Sequence, residues 1–110
     1  MATIFIVYNA KDAKSADDYE KYLKEKKVPF VRSQPFVKSY DIYRMDKVLA
    51  PPGVSNLPYQ FVAKLEISDL GLFAKAMQAP EMQEFVSEYR AYLEADPNKW
   101  VMGHKIEPGT

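Results

Sequence analysis

The sequence predicts an α+β fold in the order β-α-β-β-α-β, the ferredoxin-like arrangement, with a four-stranded antiparallel sheet. Three observations predict it. Two β-rich runs, residues 36–45 and 59–67, flank a loop at 50–58 that holds three prolines and a glycine. A strand-then-helix pattern precedes this pair, and a helix-then-strand pattern follows it. Within the second run Tyr59, Phe61, Ala63, Leu65 and Ile67 alternate with Gln60, Val62, Lys64 and Glu66. That period of two gives a sheet with one face under helices.

The first strand is Thr3-Ile-Phe-Ile-Val-Tyr8, β-branched and aromatic, with apolar residues at both parities. Such a run suits a central strand covered on two sides. Asn9-Ala-Lys-Asp12 ends it. Ser15 and Asp18 have the form of a capping box, and Ala16, Tyr19, Tyr22 and Leu23 share one helical stripe. Lys26 and Lys27 fall in the last turn, where cations favour the negative end of the helix dipole. Pro29 is expected to stop the helix.

The second helical region reads as two pieces. Ser68 or Asp69 caps a short one carrying Leu70, Phe73 and Met77. Pro80 restarts the helix, followed by Glu81 and Glu84. Met82, Phe85, Val86, Tyr89 and Leu93 then form an amphipathic face. Asp96-Pro-Asn98 is a turn, and residues 99–106 are the last strand. In the strand order 4-1-3-2, Tyr8 comes near Tyr59 and Trp100 at one end of the sheet. On the first strand the outward parity is Thr3, Phe5 and Val7. An exposed patch of this kind at the sheet centre calls for a partner.

Composition bounds the function. A chain of 110 residues is expected to form a single domain over 1–110. Lys plus Arg and Asp plus Glu both total 15, so there is no long-range pull toward nucleic acid or an anionic membrane. The absence of cysteine excludes disulfides and thiolate chemistry. With His104 as the single histidine, no metal site is expected. The apolar run at the start is too short for a signal peptide or membrane span, so a cytoplasmic protein is expected.

Several motifs carry a family resemblance. Tyr19-x-x-Tyr22, Val28-Pro29-Phe30-Val31, Pro35 and Tyr40 resemble the first half of EthD-type proteins. Tyr59-x-x-Val62-Ala63-x-Leu65, Phe73 and Ala79-Pro80-Glu81-Met82-Gln83 resemble the second half. Within that group, length and aromatic content are most similar to the RedY-like HapK proteins of prodigiosin biosynthesis. The resemblance implies a dimeric α+β barrel, with two sheets back to back in a homodimer. It also implies chemistry without cofactors, since the wider group holds cyclases, isomerases and small monooxygenases acting on aromatic or polyketide-like molecules. Asn9 and Trp100 resemble the Asn/Trp pairs of those monooxygenases. Two departures stand out. Lys27 occupies the position at which many EthD-type sequences carry a histidine. Met82 and Ala76 stand where related plant polyketide cyclases carry a histidine and a tyrosine, so that acid–base pair is absent.

The candidate catalytic residue is His104, the side chain whose unperturbed pKa lies nearest neutrality. With no definite partner for it in the sequence, it reads more readily as a surface or dimer-seam histidine. Tyr8, Tyr22, Tyr59, Phe61, Leu65, Phe85 and Trp100 are the candidate ligand-binding residues, an aromatic pocket for a flat aromatic or pyrrole-like molecule. They read also as core. Asp41, Tyr43, Arg44 and Asp46 are either pocket-mouth groups or the charged dressing of an edge strand. Three function classes follow. The first is an accessory protein or cofactor-free enzyme of secondary metabolism. The second is a non-catalytic, stress-responsive dimer. The third, an RNA-binding domain, would need exposed aromatics on the third strand, but Tyr59 and Phe61 share the helix-facing parity.

Overall fold

The structure, a computed structural model, describes residues 2–94 and 99–108; the turn expected at Asp96-Pro-Asn98 lies outside them. Strand β1 (Ala2–Tyr8) leads into helix α1 (Ala13–Tyr22), a π-helical stretch (Leu23–Lys27) and helix α2 (Val28–Arg32). Strands β2 (Val37–Arg44) and β3 (Phe61–Ile67) follow, then helices α3 (Leu70–Gln78) and α4 (Pro80–Arg90), and strand β4 (Lys99–Gly103). The sheet order is β2-β3-β1-β4, with antiparallel neighbours throughout. This is the ferredoxin-like α+β fold that the strand and helix patterns predict.

Alternation decides which face is covered. Ile4, Ile6 and Tyr8 of β1 and Phe61, Ala63, Leu65 and Ile67 of β3 are buried under the helices. From above, Ala16, Tyr19, Tyr22, Leu23, Tyr89 and Leu93 complete the core. The opposite face carries Phe5, Tyr43 and Val101, 42%, 58% and 59% exposed. Thus β1 is central, but within one chain only one of its faces is covered.

A reciprocal clasp fixes the end of the sheet. The side-chain carbonyl of Asn9 accepts from the Gln60 backbone N–H at 2.8 Å, and the Gln60 side-chain carbonyl accepts from the Ala10 N–H at 2.8 Å. Tyr59 therefore lies outside β3, which begins at Phe61 rather than at 59. The last strand likewise stops at Gly103, opposite Thr3, short of the expected 106.

Two helix-end expectations need correction. Asp12, not Ser15, caps α1: its carboxylate accepts from the Ser15 N–H at 2.7 Å, while Asp18 pairs with Lys14. Pro29 does not stop the helix. The chain widens into i→i+5 winding at Leu23–Lys27, closed by the Val28 N–H on the Leu23 carbonyl, and Pro29 falls in the first turn of α2. A proline ring ordinarily collides with the carbonyl four residues back, and its missing N–H costs nothing in a first turn. The wide winding just before it supplies the room. The Asp69 cap, accepting from the Leu72 N–H at 3.0 Å, and the restart at Pro80 are as the sequence predicts.

Candidate functional site

The π-helical stretch determines where the chemistry lies. Eight residues past Tyr19, ideal α-helical winding would have turned about 80° away from it. The slower winding at Leu23–Lys27 carries Lys27 back toward the stripe of Tyr19 and Leu23. Lys27 is thus drawn inward, 6% exposed, rather than left in solvent at a helix end. Its Nζ donates to the Tyr19 hydroxyl at 2.7 Å, and that hydroxyl lies 2.8 Å from the Tyr8 hydroxyl. The Nζ also sits 3.7 Å from the centroid of the Tyr89 ring. Among the described residues no carboxylate forms an ion pair with it.

Burial without a counter-charge disfavours the ammonium form. Desolvation lowers the Lys27 pKa from 10.5 to about 7. It raises those of the surrounding phenols Tyr8, Tyr19, Tyr40 and Tyr89. At neutral pH this amine is partly free base beside four neutral phenols. A π-helical insertion is often found at functional sites.

Lys27 and Tyr8 both line a cavity of about 50 Å³ between the sheet and the helices, whereas Tyr19 links them from behind. Ile6, Leu65 and Trp100 form its floor; Phe36, Tyr40 and Phe73 stand at one side; Met77, Met82, Phe85, Val86 and Tyr89 close it from α3 and α4. That volume is well under the roughly 150 Å³ of an apolar cavity that takes a benzene ring, so a ring enters only as the walls repack. Two methionines in the roof give it room to adapt, since their unbranched side chains repack readily.

A larger open cleft of about 680 Å³ lies on the other flank of α1, between Leu23, Val28 and Arg32 and the edge strand β2. Its charges are already satisfied. Arg44 pairs with Asp17 at 2.9 Å and Glu20 at 3.2 Å, and Arg32 with Asp41 at 3.2 Å. Asp41 and Arg44 line this cleft and are held in these ion pairs. The smaller cavity is the better candidate site because its amine has no such partner.

Comparison with known proteins places this geometry. A family model described as REDY-like protein HapK matches residues 2–106. The chain belongs to the REDY-like HapK family. Among solved structures, HapK from Hahella chejuensis superposes on this REDY-like chain with a TM-score of 0.76 at 21% identity, covering 100% of this chain and 97% of that one. SnoaB from Streptomyces nogalater, a cofactor-independent oxygenase, is similar with a TM-score of 0.69 at 15% identity over 97% and 94% of the two chains. An EthD family protein from Bacillus halodurans is similar with a TM-score of 0.66 at 14% identity over 96% and 99%. Identities this low show a shared fold. No curated protein matches the chain.

Within this HapK-family fold the expected site residues separate into groups. Tyr8, Leu65, Phe85 and Trp100 line the Lys27 cavity. Phe61 stacks on Tyr8 with centroids 5.5 Å apart and reaches the outer cleft instead. Tyr22 stacks on Phe85 at 6.5 Å, behind the cavity wall. Tyr59 lies in the loop before β3, not in the cavity. His104 is exposed just past β4, at the end of β1 opposite Tyr8, so it does not face the cavity. Asn9 is committed to its clasp with Gln60. The residue that reading the sequence missed is Lys27. The available signal was its position just before the Val28-Pro29 motif, where the EthD-type resemblance implies a histidine.

Proposed function

We propose that this chain is an accessory protein of secondary-metabolite biosynthesis of the prodigiosin type. It binds a small flat aromatic or pyrrole-like ligand in the cavity beneath its helices and works without a metal or organic cofactor. The observation that carries this reading is the buried Lys27 amine on the wall of an apolar cavity, joined through Tyr19 to Tyr8. A partly neutral amine near physiological pH is a general base, and the phenols donate hydrogen bonds to a polar substituent. The role of base that sequence alone assigns to His104 passes to Lys27. Deprotonation of an acidic ring or side-chain position would serve a cyclisation, an isomerisation or an oxygenation.

The protein acts as a single-domain homodimer in the cytoplasm. What supports the dimer is the outer face of the sheet, where Phe5, Tyr43 and Val101 are exposed and flank the half-buried Val62. A second reading, a non-catalytic stress-responsive dimer, draws on the small cavity volume of about 50 Å³.

A thermal-shift screen of aromatic, polyketide and pyrrole compounds tests the proposal, followed by turnover of wild type, His104→Ala and Lys27→Met. Conversion that survives His104→Ala and disappears in Lys27→Met is the expected result. A screen without a hit favours the non-catalytic dimer.

A further inference from the structure

Lys27 has a second chemical capacity besides accepting a proton. Lys27 lines the cavity, and the hydrogen bond of its Nζ is to the Tyr19 phenol rather than to a carboxylate. A buried amine without a counter-charge is the arrangement that makes lysine a nucleophile toward carbonyl carbon. We propose that Lys27 binds its ligand covalently, taking a small aromatic aldehyde or ketone into the cavity as a Schiff base. This deepens the ligand-site reading above and rests on it.

The step balances without any further reagent. The Nζ lone pair attacks the carbonyl carbon, a C–N bond forms, and the carbonyl π electrons move to oxygen. The nitrogen then loses a proton and the oxygen gains one, giving a carbinolamine. A second proton passes from nitrogen to oxygen as the C–O bond breaks, so that one water leaves and a C=N bond remains. Both transfers run from nitrogen to oxygen, and the hydroxyl pair provides the route. Nζ is 2.7 Å from the Tyr19 oxygen, and that oxygen is 2.8 Å from the Tyr8 oxygen. Tyr19 can accept from the nitrogen while Tyr8, which faces the cavity, donates to the departing oxygen.

The groups facing Lys27 come from each packed element: Tyr8 from β1, Tyr19 from α1, Tyr40 from β2 and Tyr89 from α4. All are phenols whose ionisation burial opposes. None supplies a negative charge that would hold the amine protonated, and desolvation favours its free base. The floor and roof are apolar, which suits a ring attached to the carbonyl.

The test uses the full chain with benzaldehyde and cyanoborohydride at neutral pH, read by intact mass and peptide mapping. The expected result is a single benzyl increment on Lys27, at least about tenfold faster than on the exposed lysines, whose surroundings do not disfavour the ammonium by burial. Lys27→Met should lose that fast site and keep the slow background. Benzyl alcohol, which has no carbonyl, is tested in parallel by thermal shift. A shift with benzyl alcohol but no preferential labelling of Lys27 overturns the Schiff base and leaves the cavity reading standing. Absence of both overturns both. Fast labelling that persists in Lys27→Met also overturns the assignment.

Discussion

Lys27 and Tyr19 meet at 2.7 Å in the middle of the core, eight residues apart on one continuous helical path. The contact places an amine where a small domain would ordinarily put a methylene chain. Burial of that amine, rather than the contact itself, sets the sign of its contribution to pH dependence. The folded chain holds Lys27 at a pKa of about 7 against the ordinary 10.5. Between those values the unfolded chain binds a proton that the folded chain does not, so stability rises as pH rises through that window.

Lys27→Met is therefore expected to raise the melting temperature at pH 7 and to flatten the profile between pH 7 and 10. Below about pH 7 the wild type carries the whole penalty of a buried ammonium, a few kcal/mol on the scale of roughly 1.4 kcal/mol per tenfold in proton affinity. Above pH 10 both proteins should lose stability, because the buried tyrosines stay protonated in the folded state while the unfolded chain ionises them. Thermal melts across pH check this. A Lys27→Met variant less stable than wild type at pH 6 would contradict it.

Tyr19→Phe removes the acceptor of the Lys27 ammonium and the partner of the Tyr8 hydroxyl. Leaving buried polar groups unpaired costs about 1–3 kcal/mol. Because the lost bond favours the charged amine, the Lys27 pKa should fall further. Chemical denaturation measures the first effect, and NMR titration of a selectively labelled lysine the second. An unchanged titration midpoint would mean that Tyr19 does not stabilise the ammonium.

Asp12→Ala tests the correction to the first helix. Loss of the N-cap carboxylate leaves the Ser15 N–H without its acceptor, so the start of the helix weakens and stability falls. Ser15→Ala, by contrast, removes no cap and should change stability less. Urea denaturation of the two variants separates them; equal losses would restore Ser15 as the cap.

The sheet was legible because its signal is short-ranged. Alternation in residues 61–67 separates buried Phe61, Ala63, Leu65 and Ile67 from the half-buried and exposed positions between them, and no tertiary information is needed to see it. The stripe of Tyr19, Tyr22 and Leu23 was legible for the same reason. Lys27 was not. A lysine near a helix end ordinarily reads as solvated, and only a change of winding turns it inward. Pro29 misled in the same way, since a ring that breaks ideal α-helix is accommodated after a π-helical stretch. Tyr59 and His104 were placed by strand ends two or three residues too long, which is where local patterning is weakest.

Phe5→Lys is expected to abolish dimerisation. Phe5 lies on the outer face of central β1, opposite Lys64 on β3 and Val101 on β4. Burying each such apolar side chain contributes roughly 1.5–3 kcal/mol, set against the cost of association. A lysine at this position would face the partner sheet with no carboxylate to itself, because Glu66 already lies 3.4 Å from Lys64. Sedimentation at micromolar concentration should show wild type as a dimer and the variant as monomer or insoluble protein. A monomeric wild type would refute the expectation outright.

Trp100 offers a direct optical view of the cavity. It is the single tryptophan of the chain, lines the cavity floor, and lies 6.3 Å from the Phe73 ring, centroid to centroid. A ligand entering between Phe73, Leu65 and Tyr8 must displace water from the indole or stack on it, so tryptophan emission should shift or quench on binding. The surrounding tyrosines are buried near Lys27, and a bound ring would also perturb their near-UV circular dichroism. The two signals should titrate with one midpoint. Lys27→Met should preserve the optical response to a ligand without a carbonyl, because the apolar walls remain. A ligand that raises the melting temperature yet leaves tryptophan emission unchanged binds elsewhere, and the cleft beside β2 would become the site to pursue.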